Sequence, residues 1–422
     1  MASQKNATME AWYAAETRAS WQKEAVKDYN KAKGYEITVN WVRAGNGPQL
    51  LDKLVVATAS GSGLPDMADV IINEIGKLLK TPNPPLLAFN DYLRGKEKDF
   101  FMPSFADPWS ANGKIYGLGN ELNVVLFAYR HDLFDKAGIK APLKTWNEAM
   151  EAGRTLSSIA PEGLFFVSAG PIGTFHTLAI QAGGGYLENG NRLIIDHEQN
   201  VKALQFIVDS AHRLRATSLI PSARPEKDQG NALRKAALNS GAVAAEIGPS
   251  WRISGGLRAD APDTEGRWMV QPLPQWSTSG PRRTTSQGGT GMSVLKESKY
   301  KDIAADFVIW EHSTKAVLHD YDQRQVWPTY KKVYDDPRLS EPVPWFNNQR
   351  VGTLLKQEAE TMLPFYQGVW WPEIAAAAGK HITAAIKNEK PVRQALQEAQ
   401  AEAKAAIETA GGRIDGDGRI TS

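Results

Sequence analysis

The stretch "YEITVNWVRAGNGPQLLDKLVVATASGSGLPDMADVII" spans residues 35–72 and contains three consecutive elements. Its β-branched, alternating start (35–43) predicts a strand, and the segment 47–63, which ends in Ser and Gly, predicts a helix. Pro65 and Asp66 predict a turn into an apolar third element (64–72), which reads as another strand. This order and spacing is typical of a parallel sheet with right-handed crossover connections.

The same alternation continues on both sides of this stretch. Upstream, "ATMEAWY" (7–13) predicts a strand, and "ASWQKEAVKDYNKAKG" (19–34) predicts an amphipathic helix that ends at Gly34. Downstream the pattern restarts, with predicted strands at "VLFAYR" (125–130), "GLFFVSAG" (163–170) and "AVAAEIGPSW" (242–251). Thr145 to Glu148 opens a helix in the manner of a capping box. The sequence therefore predicts an α/β protein with two such units.

The bulk composition describes a globular protein of more than one domain. The chain has 422 residues, of which 42% are hydrophobic and 23% charged, so it exceeds the ordinary size of a single core. Its 49 basic and 47 acidic residues nearly cancel, and no block of like charge follows a phosphate backbone. We therefore expect no nucleic-acid partner.

Cysteine is absent, which excludes disulfides, thiolate metal sites and cysteine nucleophiles. No apolar run reaches the roughly 18–20 residues of a membrane helix. The first residues, "MASQKNATME", show neither a basic n-region nor an apolar h-region. We expect either a protein that is not exported or a mature form whose signal was replaced by a start Met.

Tryptophan is unusually abundant, with 13 residues beside 12 tyrosines. Indole needs a partner for its N–H group, so a tryptophan next to turn residues is typical of a recognition surface. Six tryptophans occur in polar surroundings rich in Pro and Gly: Trp251, Trp276, Trp327, Trp345, Trp370 and Trp371.

Motifs for the common catalytic and cofactor chemistries are absent from the sequence. The seven histidines form no metal-binding pair, and "SQGGTGMSV" (286–294) runs into a strand, where a nucleotide loop would run into a helix. We therefore predict no metal and no cofactor. Two Asn-Glu pairs, Asn73-Glu74 and Asn120-Glu121, leave open a retaining glycosidase that uses Glu74 and Glu121.

A set of segments in fixed order resembles the extracellular solute-binding proteins of ABC sugar importers, the broad class of the maltose-binding protein. The segments are "GSGLPD", "NGKIYGLGNELNVVLFAYRHDLFDKAGI", "TWNEA", "GAVAAEIGPSW", "WMVQPLPQW", "QGGTGMSV", "AADFVIWEHS" and "PVRQALQEAQ". They cover nearly the whole chain. The block around "GKIYGLGNELNVVLFAYR" is most similar to the lactose- and arabinose-type branch.

The resemblance implies a two-lobed periplasmic-binding-protein fold of type II character. Each lobe would be a mainly parallel sheet flanked by helices, and hinge strands would cross between the lobes near Leu118–Val125, Val270–Pro274 and 325–330. Lobe one would comprise residues 1–122 and 271–325, and lobe two residues 123–270 and 326–422. The ligand would bind in the cleft between the lobes and favour their closure.

The resemblance also implies ligand-binding positions. In or near lobe one these are Trp12, Tyr13, Glu16, Arg43, Asn46, Asn73, Glu74, Glu121, Gln287, Gly288 and Gly289. Lobe two would supply Phe175, His176, Trp251, Trp327, Tyr366, Trp370 and Trp371, with Trp251 as a sugar-stacking ring and one of Trp370 and Trp371 in the core. The alternative for Glu121 is an acid that merely caps a turn. For Trp12, Tyr13 and Glu16 the alternative is a helix start with core aromatics. For four further positions the alternative is a solvated loop: Arg43, Asn46, Asn73 and Glu74.

The predicted function is thus a non-catalytic, monomeric receptor for a neutral di- or oligosaccharide that docks onto an ABC permease. It would work in the periplasm or outside the cell, with lipid anchoring undecided. An anionic ligand, such as a glycerol phosphodiester or a sulfonated sugar, is the alternative, with Arg43, Arg252 and Arg324 as its partners. The glycosidase is the rival from another class.

Overall fold

The computed structural model describes residues 5–14, 16–168, 171–189, 191–219, 228–365 and 367–421. The strands, in chain order, are β1 Asn6–Tyr13, β2 Glu36–Arg43, β3 Met67–Ile71, β4 Ser110–Ala111, β5 Lys114–Ile115, β6 Leu118–Gly119, β7 Val125–Arg130, β8 Leu187–Glu188, β9 Arg192–Leu193, β10 Ala245–Pro249, β11 Trp268–Gln271, β12 Thr284–Thr285, β13 Thr290–Val294, β14 Met362–Leu363, β15 Arg413–Ile414 and β16 Ile420–Thr421.

The α-helices, in the same order, are α1 Glu16–Lys33, α2 Gly47–Ser60, α3 Gly76–Leu79, α4 Asn90–Leu93, α5 Met102–Phe105, α6 His131–Lys136, α7 Trp146–Thr155, α8 Thr174–Gln181, α9 Glu198–Val208, α10 Asp228–Ser240, α11 Leu257–Asp260, α12 Lys301–His312, α13 Leu318–Arg324, α14 Val351–Ala359, α15 Trp371–Ile386 and α16 Val392–Thr409. Two π-helical turns, Asp209–Arg213 and Arg252–Gly256, follow α9 and β10. Among the described helices, none is both long and apolar enough to cross a bilayer.

The chain divides into two compact units. Unit 1 comprises Met1–Asn123, Gly288–Asp336 and Gln367–Pro372, and unit 2 comprises Val124–Gln287, Pro337–Tyr366 and Glu373–Ser422. These bounds differ from the predicted lobe limits at residue 123 and over 271–287, 326–336 and 367–372. The predicted lobe limits and the hinge strands therefore remain predictions.

Unit 1 is built on a five-stranded sheet of order β2-β1-β3-β13-β6. The first three strands are parallel, as the sequence predicts, whereas β13 runs antiparallel to both β3 and β6. Alternate residues of β1 point to opposite faces of the sheet, so Met9 and Ala11 pack with Trp21 and Phe307 of the flanking helices. On the other face Leu50 of α2 belongs to a second buried cluster.

Unit 2 contains a three-stranded sheet of order β10-β7-β11. Both strand pairs are antiparallel, which differs from the expected mainly parallel sheet. Every residue of β7 is buried, which fits a central strand covered on both faces. Val270 and Gln271 pair with β7 within this unit.

One predicted strand is only partly formed. In 163–170, Phe165 forms a single parallel bridge with Ala245 and Phe166 a single parallel bridge with Ser218, while residues 169–170 lie outside the described residues. The Leu164 amide also donates to the Ala216 carbonyl and the Val167 amide to the Ser218 carbonyl, so residues 164–167 are paired in parallel although each bridge is single.

The helix start at Thr145 is confirmed in part. Its hydroxyl accepts a hydrogen bond from the Glu148 amide at 3.2 Å, while the Glu148 carboxylate accepts from the Lys144 amide instead of the Thr145 amide. The predicted reciprocal capping box is therefore half formed.

Candidate functional site

The carboxyl ends of β1 and β2 bring four of the predicted site residues together in unit 1. Tyr13 and Arg43 are partners in the parallel register, and the Tyr13 hydroxyl donates a hydrogen bond to Glu16 at the start of α1. This hydrogen bond raises the pKa of Tyr13 and lowers the pKa of Glu16. The half-buried Trp12 donates its indole N–H to Glu10 at 2.8 Å. Parallel strands present such groups at one sheet edge, where ligands bind in open α/β folds.

Asn46 has a structural role at the start of α2. Its side-chain oxygen accepts from the Gln49 amide at 3.0 Å, and the Gln49 side chain accepts from the Asn46 amide at 3.1 Å. This is a complete capping box. A role in ligand binding for Asn46 remains a prediction.

The segment 367–370 lies along the residues that follow β3. Gln367 donates its side-chain amide to the Asn73 side-chain oxygen at 2.9 Å. The Lys80 ammonium lies 4.8 Å from the centre of the half-buried Trp370 ring. The structure thus brings Asn73 and Trp370, which are far apart in sequence, to one part of unit 1, and it adds Gln367, which the sequence analysis did not identify.

Glu74 lies in the same part of unit 1 but is paired. Its carboxylate lies 2.8 Å from the Lys77 ammonium, which also contacts Asp52 at 3.0 Å. The turn that carries Glu74 is closed by a hydrogen bond from the Glu74 amide to the Ile71 carbonyl at 3.1 Å.

Gly289 has a packing reason for being glycine, and both Gly288 and Gly289 have a predicted binding role. A Cβ on Gly289 would lie 2.8 Å from the Asn123 side-chain nitrogen and 3.2 Å from the Trp109 ring, and its φ of +134° disfavours other residues. The Gly288 carbonyl accepts from the Asn123 side chain at 3.2 Å, and the Gly289 carbonyl accepts from the Ile72 amide at 3.2 Å. Gly289, which precedes β13, is therefore hydrogen-bonded to Ile72, which follows β3, while Gly288 is hydrogen-bonded to Asn123.

Glu121 lies in a buried cluster of charges. It is 8% exposed, and its carboxylate lies 3.0 Å from both Arg18 and Arg324. Arg18 also contacts Asp69 at 3.1 Å, and Arg324 contacts Asp320. Both guanidinium groups donate to the Oε1 atom of Glu121, and these charge-assisted hydrogen bonds explain why a carboxylate can be buried here.

The cluster shifts the pKa values of Glu121 and Asp320 in opposite directions. Burial alone raises the pKa of Glu121, but the two guanidinium groups outweigh it and hold that pKa below its usual value. Burial raises the pKa of Asp320 to about 6, against the lowering effect of Arg324. Glu121 is therefore an ionised structural partner within unit 1, and its predicted ligand contact remains a prediction.

Two of the predicted tryptophans are core residues in the described structure. Trp327 is 1% exposed, and its ring packs edge-on against Tyr321 at 5.6 Å between centroids. Trp371 is equally buried, whereas Trp370 is half-buried. The sequence left open which of Trp370 and Trp371 packs in the core, and it is Trp371.

In unit 2 the start of α8 gathers three predicted residues. Phe175 and His176 are fully buried, and the His176 Nε2 atom lies 3.1 Å from the Ser286 carbonyl. Gln287 follows Ser286, and its side-chain nitrogen lies 3.8 Å from where a Cβ on Gly173 would stand. Of these three, the half-buried Gln287 keeps the most accessible side chain.

Trp251 is the most exposed aromatic anchor candidate. It lies two residues after the end of β10 and precedes the π-helical turn Arg252–Gly256, and it is 41% exposed. Among the described residues it is the one aromatic in the set of exposed large hydrophobic side chains. An exposed indole at a strand end can cover the C–H face of a flat ligand.

Two of the three arginines proposed for an anionic ligand form ion pairs with carboxylates. Arg252 contacts Glu246 at 2.6 Å and Asp260 at 2.6 Å, and Arg324 lies in the Glu121 cluster. Arg43 is the exposed member of the three. Within the described part of the chain no group of three or more His, Asp or Glu side chains is arranged to hold a metal ion, and Tyr366 lies outside the described residues.

The family model described as bacterial extracellular solute-binding protein matches residues 24–344. The chain belongs to this family. Its description places the family's members outside the cytoplasm, and solute binding is the property that its members share. The sequence-based resemblance is therefore confirmed.

Two curated relatives and one solved structure show the similarity in detail. The chain is 29% identical over 287 residues to the arabinooligosaccharide-binding protein of Bacillus subtilis. The aligned region covers 68% of this chain and 64% of that protein. It is 27% identical over 295 residues to the lactose-binding protein of Rhizobium radiobacter, covering 68% and 65%. The match thus spans just under two thirds of the length of either relative.

The solved structure is the ABC transporter associated binding protein from B. animalis subsp. lactis in complex with β-1,6-galactobiose. It is 20% identical, with a TM-score of 0.72 over 96% of this chain and 98% of that chain. At this identity the likeness establishes the fold, and the predicted two-lobed α/β class is confirmed.

Proposed function

We propose that this protein is the substrate-binding component of an ABC carbohydrate importer, and that its ligand is a neutral di- or oligosaccharide with arabinose- or galactose-like units. Membership of the solute-binding family supports the transport role. The relatives named for arabinooligosaccharides and lactose support the ligand class. The protein would deliver the sugar as a monomer to a membrane permease, in the periplasm or at the cell surface, with or without a lipid anchor.

The observation that carries this proposal is the exposed indole of Trp251. A sugar presents C–H patches on its faces and hydroxyls on its rim, so it needs a flat ring on one side and polar groups in its plane. In unit 1 the Asn73–Gln367 pair and the Tyr13–Glu16 pair supply amide and carboxylate groups of the required kind. Trp12 and Trp370 supply half-buried rings in the same unit.

The ion pairs that the arginines already form favour a neutral ligand over an anionic one. Arg252 and Arg324 are each held by two carboxylates, so binding an anion would require breaking those buried contacts. Arg43 alone is exposed. Affinity for the sugar should therefore be almost independent of moderate salt.

The proposal also makes the protein a receptor without turnover. A glycosidase needs one carboxyl group that stays protonated as an acid, which usually means a raised pKa. The pKa of Glu121 is instead lowered by Arg18 and Arg324 against the effect of burial, and Glu74 is paired with Lys77. Glu121 therefore lacks the environment of a general acid, and the Glu74 carboxylate is engaged by a cation.

The test is calorimetric titration of the protein with arabinooligosaccharides, lactose, β-1,6-galactobiose and maltose, and with glycerophosphodiesters as anionic comparison. We expect a neutral sugar to bind with a Kd of about micromolar or below, which corresponds to roughly 8–10 kcal/mol. Incubation with the best ligand, followed by product analysis, should show no hydrolysis.

Trp251→Ala should weaken that binding by about tenfold or more, because truncating an aromatic anchor costs roughly 1–3 kcal/mol. Trp251→Phe is the matched control, since it keeps a smaller ring and should lose less. Unchanged affinity in Trp251→Ala would remove this residue from the site, and binding of the phosphodiesters alone would contradict the neutral ligand.

A further inference from the structure

We propose that Arg252 is a positioning residue for Trp251: held by Glu246 and Asp260 in a slot between two glycines, it fixes the backbone turn from which the exposed indole projects. This inference rests on the proposed function, since it concerns the ring that is to stack on the sugar. Arg252 itself is predicted to make no contact with a neutral ligand.

The Arg252 guanidinium is bound from two elements of unit 2. Its Nε atom lies 2.6 Å from Glu246 Oε1 in β10, and its Nη2 atom lies 3.4 Å from Glu246 Oε2. The same Nη2 atom lies 2.6 Å from Asp260 Oδ2 at the end of α11. Planar, multidentate contacts of this kind fix the direction of an arginine side chain.

A second arginine completes the charge balance. Arg234 of α10 contacts Glu246 and lies 3.6 Å from Asp260, so two cations face two anions. The exposed Lys235 adds a longer contact to Asp260 at 3.7 Å. The Glu246 side chain is 4% exposed and that of Arg252 17%, so this set of ion pairs is shielded from water far better than a surface pair.

Two glycines leave room for the arginine. A Cβ on Gly248 would stand 3.0 Å from Arg252 Cγ, and a Cβ on Gly256 would stand 2.6 Å from Arg252 Nη1. Gly256 has an ordinary helical φ of −64°, so its backbone conformation does not require glycine. The space that it leaves is occupied by the Arg252 guanidinium.

The consequence for Trp251 follows from its place in the chain. Trp251 immediately precedes Arg252 and has helical dihedrals, φ −62° and ψ −34°, at the start of the π-helical turn. Anchoring the Arg252 side chain to β10 and α11 fixes this turn on the sheet, so the Cα–Cβ bond from which the Trp251 indole projects has a fixed direction before a ligand arrives. Preorganisation of this kind reduces the entropy cost of binding.

The experiment measures the Kd of the tightest-binding sugar of the panel for Arg252→Met and Gly256→Ala, each in the wild-type and in the Trp251→Ala background. Gly256→Ala keeps every charge and only pushes the guanidinium out of its slot. We expect each variant to weaken binding by about five- to tenfold with Trp251 present and by less than about twofold without it, because coupled residues are not additive.

Controls separate positioning from a general loss of structure. Arg213→Met removes an arginine from a surface ion pair with Asp209 in the same unit, and Gly416→Ala adds a methyl group where nothing lies within 4 Å. Both should leave Kd unchanged. Circular dichroism and thermal unfolding check that each variant is folded, and Gly256→Ala alone still tests the inference if Arg252→Met fails to fold.

The outcomes distinguish this inference from the proposed function. If Trp251→Ala weakens sugar binding while Gly256→Ala does not, the positioning role is wrong and the proposed function stands. Equal losses in both backgrounds would also overturn it, because they would mean an effect that does not pass through the indole. If no sugar of the panel binds, the proposed function fails and the inference fails with it.

Discussion

At the scale of single residues, His176 shows what burial does to a titratable group. It is 0% exposed, and burial lowers its pKa to about 4, although the hydrogen bond to the Ser286 carbonyl opposes the shift. The folded protein therefore keeps this imidazole neutral over a range in which an unfolded chain would protonate it near pH 6.5. His312 in unit 1 is buried in the same way, and its pKa is likewise lowered to about 4.

This shift predicts a pH dependence of stability. Between pH 6.5 and about 4 the unfolded state binds the proton that the folded state refuses, so the stability from this histidine is present above pH 6.5 and is lost as the pH falls. For His176→Gln, the slope of the free energy of unfolding against pH in this range should be lower by about 1.4 kcal/mol per pH unit.

Urea unfolding at several pH values in this window measures the slope. His312→Gln should show the same decrease, because the burial of its imidazole has the same sign. Variant slopes equal to that of the wild type would mean that these imidazoles accept a proton while folded.

At the scale of elements, four glycines make room for one buried indole in unit 1. Trp109 is 0% exposed, and its N–H group donates to the Val70 carbonyl at 2.8 Å. Cβ atoms at the glycines around it would stand 2.6 to 3.2 Å from its ring; these are Gly117, Gly119, Gly289 and Gly291. Gly289 and Gly291 of the run "QGGTG" are thus required by packing against Trp109, whatever the amides of this run bind.

Gly291→Ala should destabilise the protein by about 1–3 kcal/mol, because the added methyl group would stand 2.6 Å from the Trp109 ring in a close-packed core. Urea unfolding followed by circular dichroism measures the loss. Gly416→Ala, which meets nothing within 4 Å, is the matched control and should change stability little. Equal stability of the two variants would show that the indole can move aside.

At the scale of the whole molecule, the sequence predicted the order of elements better than their partners. The strand–helix alternation of 7–72 and the resemblance to the solute-binding family are confirmed. The antiparallel sheet of unit 2 was missed, because local alternation does not reveal strand direction. Gln367 was missed because its partner, Asn73, is 294 residues away, and no local pattern links two amides at that distance.

The predicted site residues show the same limit. The sequence predicted an exposed side chain for Trp251, which is exposed in the structure. The burial of Phe175, His176 and Trp327 depends on which helices cover them. The sequence also could not show that Glu121 is paired with Arg18, which lies 103 residues before it. From sequence alone, an acid among polar residues resembles a ligand-binding residue, because its buried ion-pair partner is distant in the chain.

The buried charge cluster around Arg18 should contribute to the stability of unit 1. Arg18→Met should lower the free energy of unfolding by about 3–5 kcal/mol, because it leaves Asp69 and Glu121 buried with one fewer cation. Lys23→Met, which removes a cation of the same helix from an exposed ion pair, is the control and should leave the unfolding midpoint almost unchanged. Similar midpoints for both variants would mean that water reaches the cluster.

The enclosure of Trp109 has a practical consequence for spectroscopy. A buried indole whose N–H group donates to a backbone oxygen emits at short wavelength. Its emission should change little when a ligand is added. It contributes a constant background to the protein's emission spectrum, so a spectral change on titration would report on less enclosed rings such as Trp251.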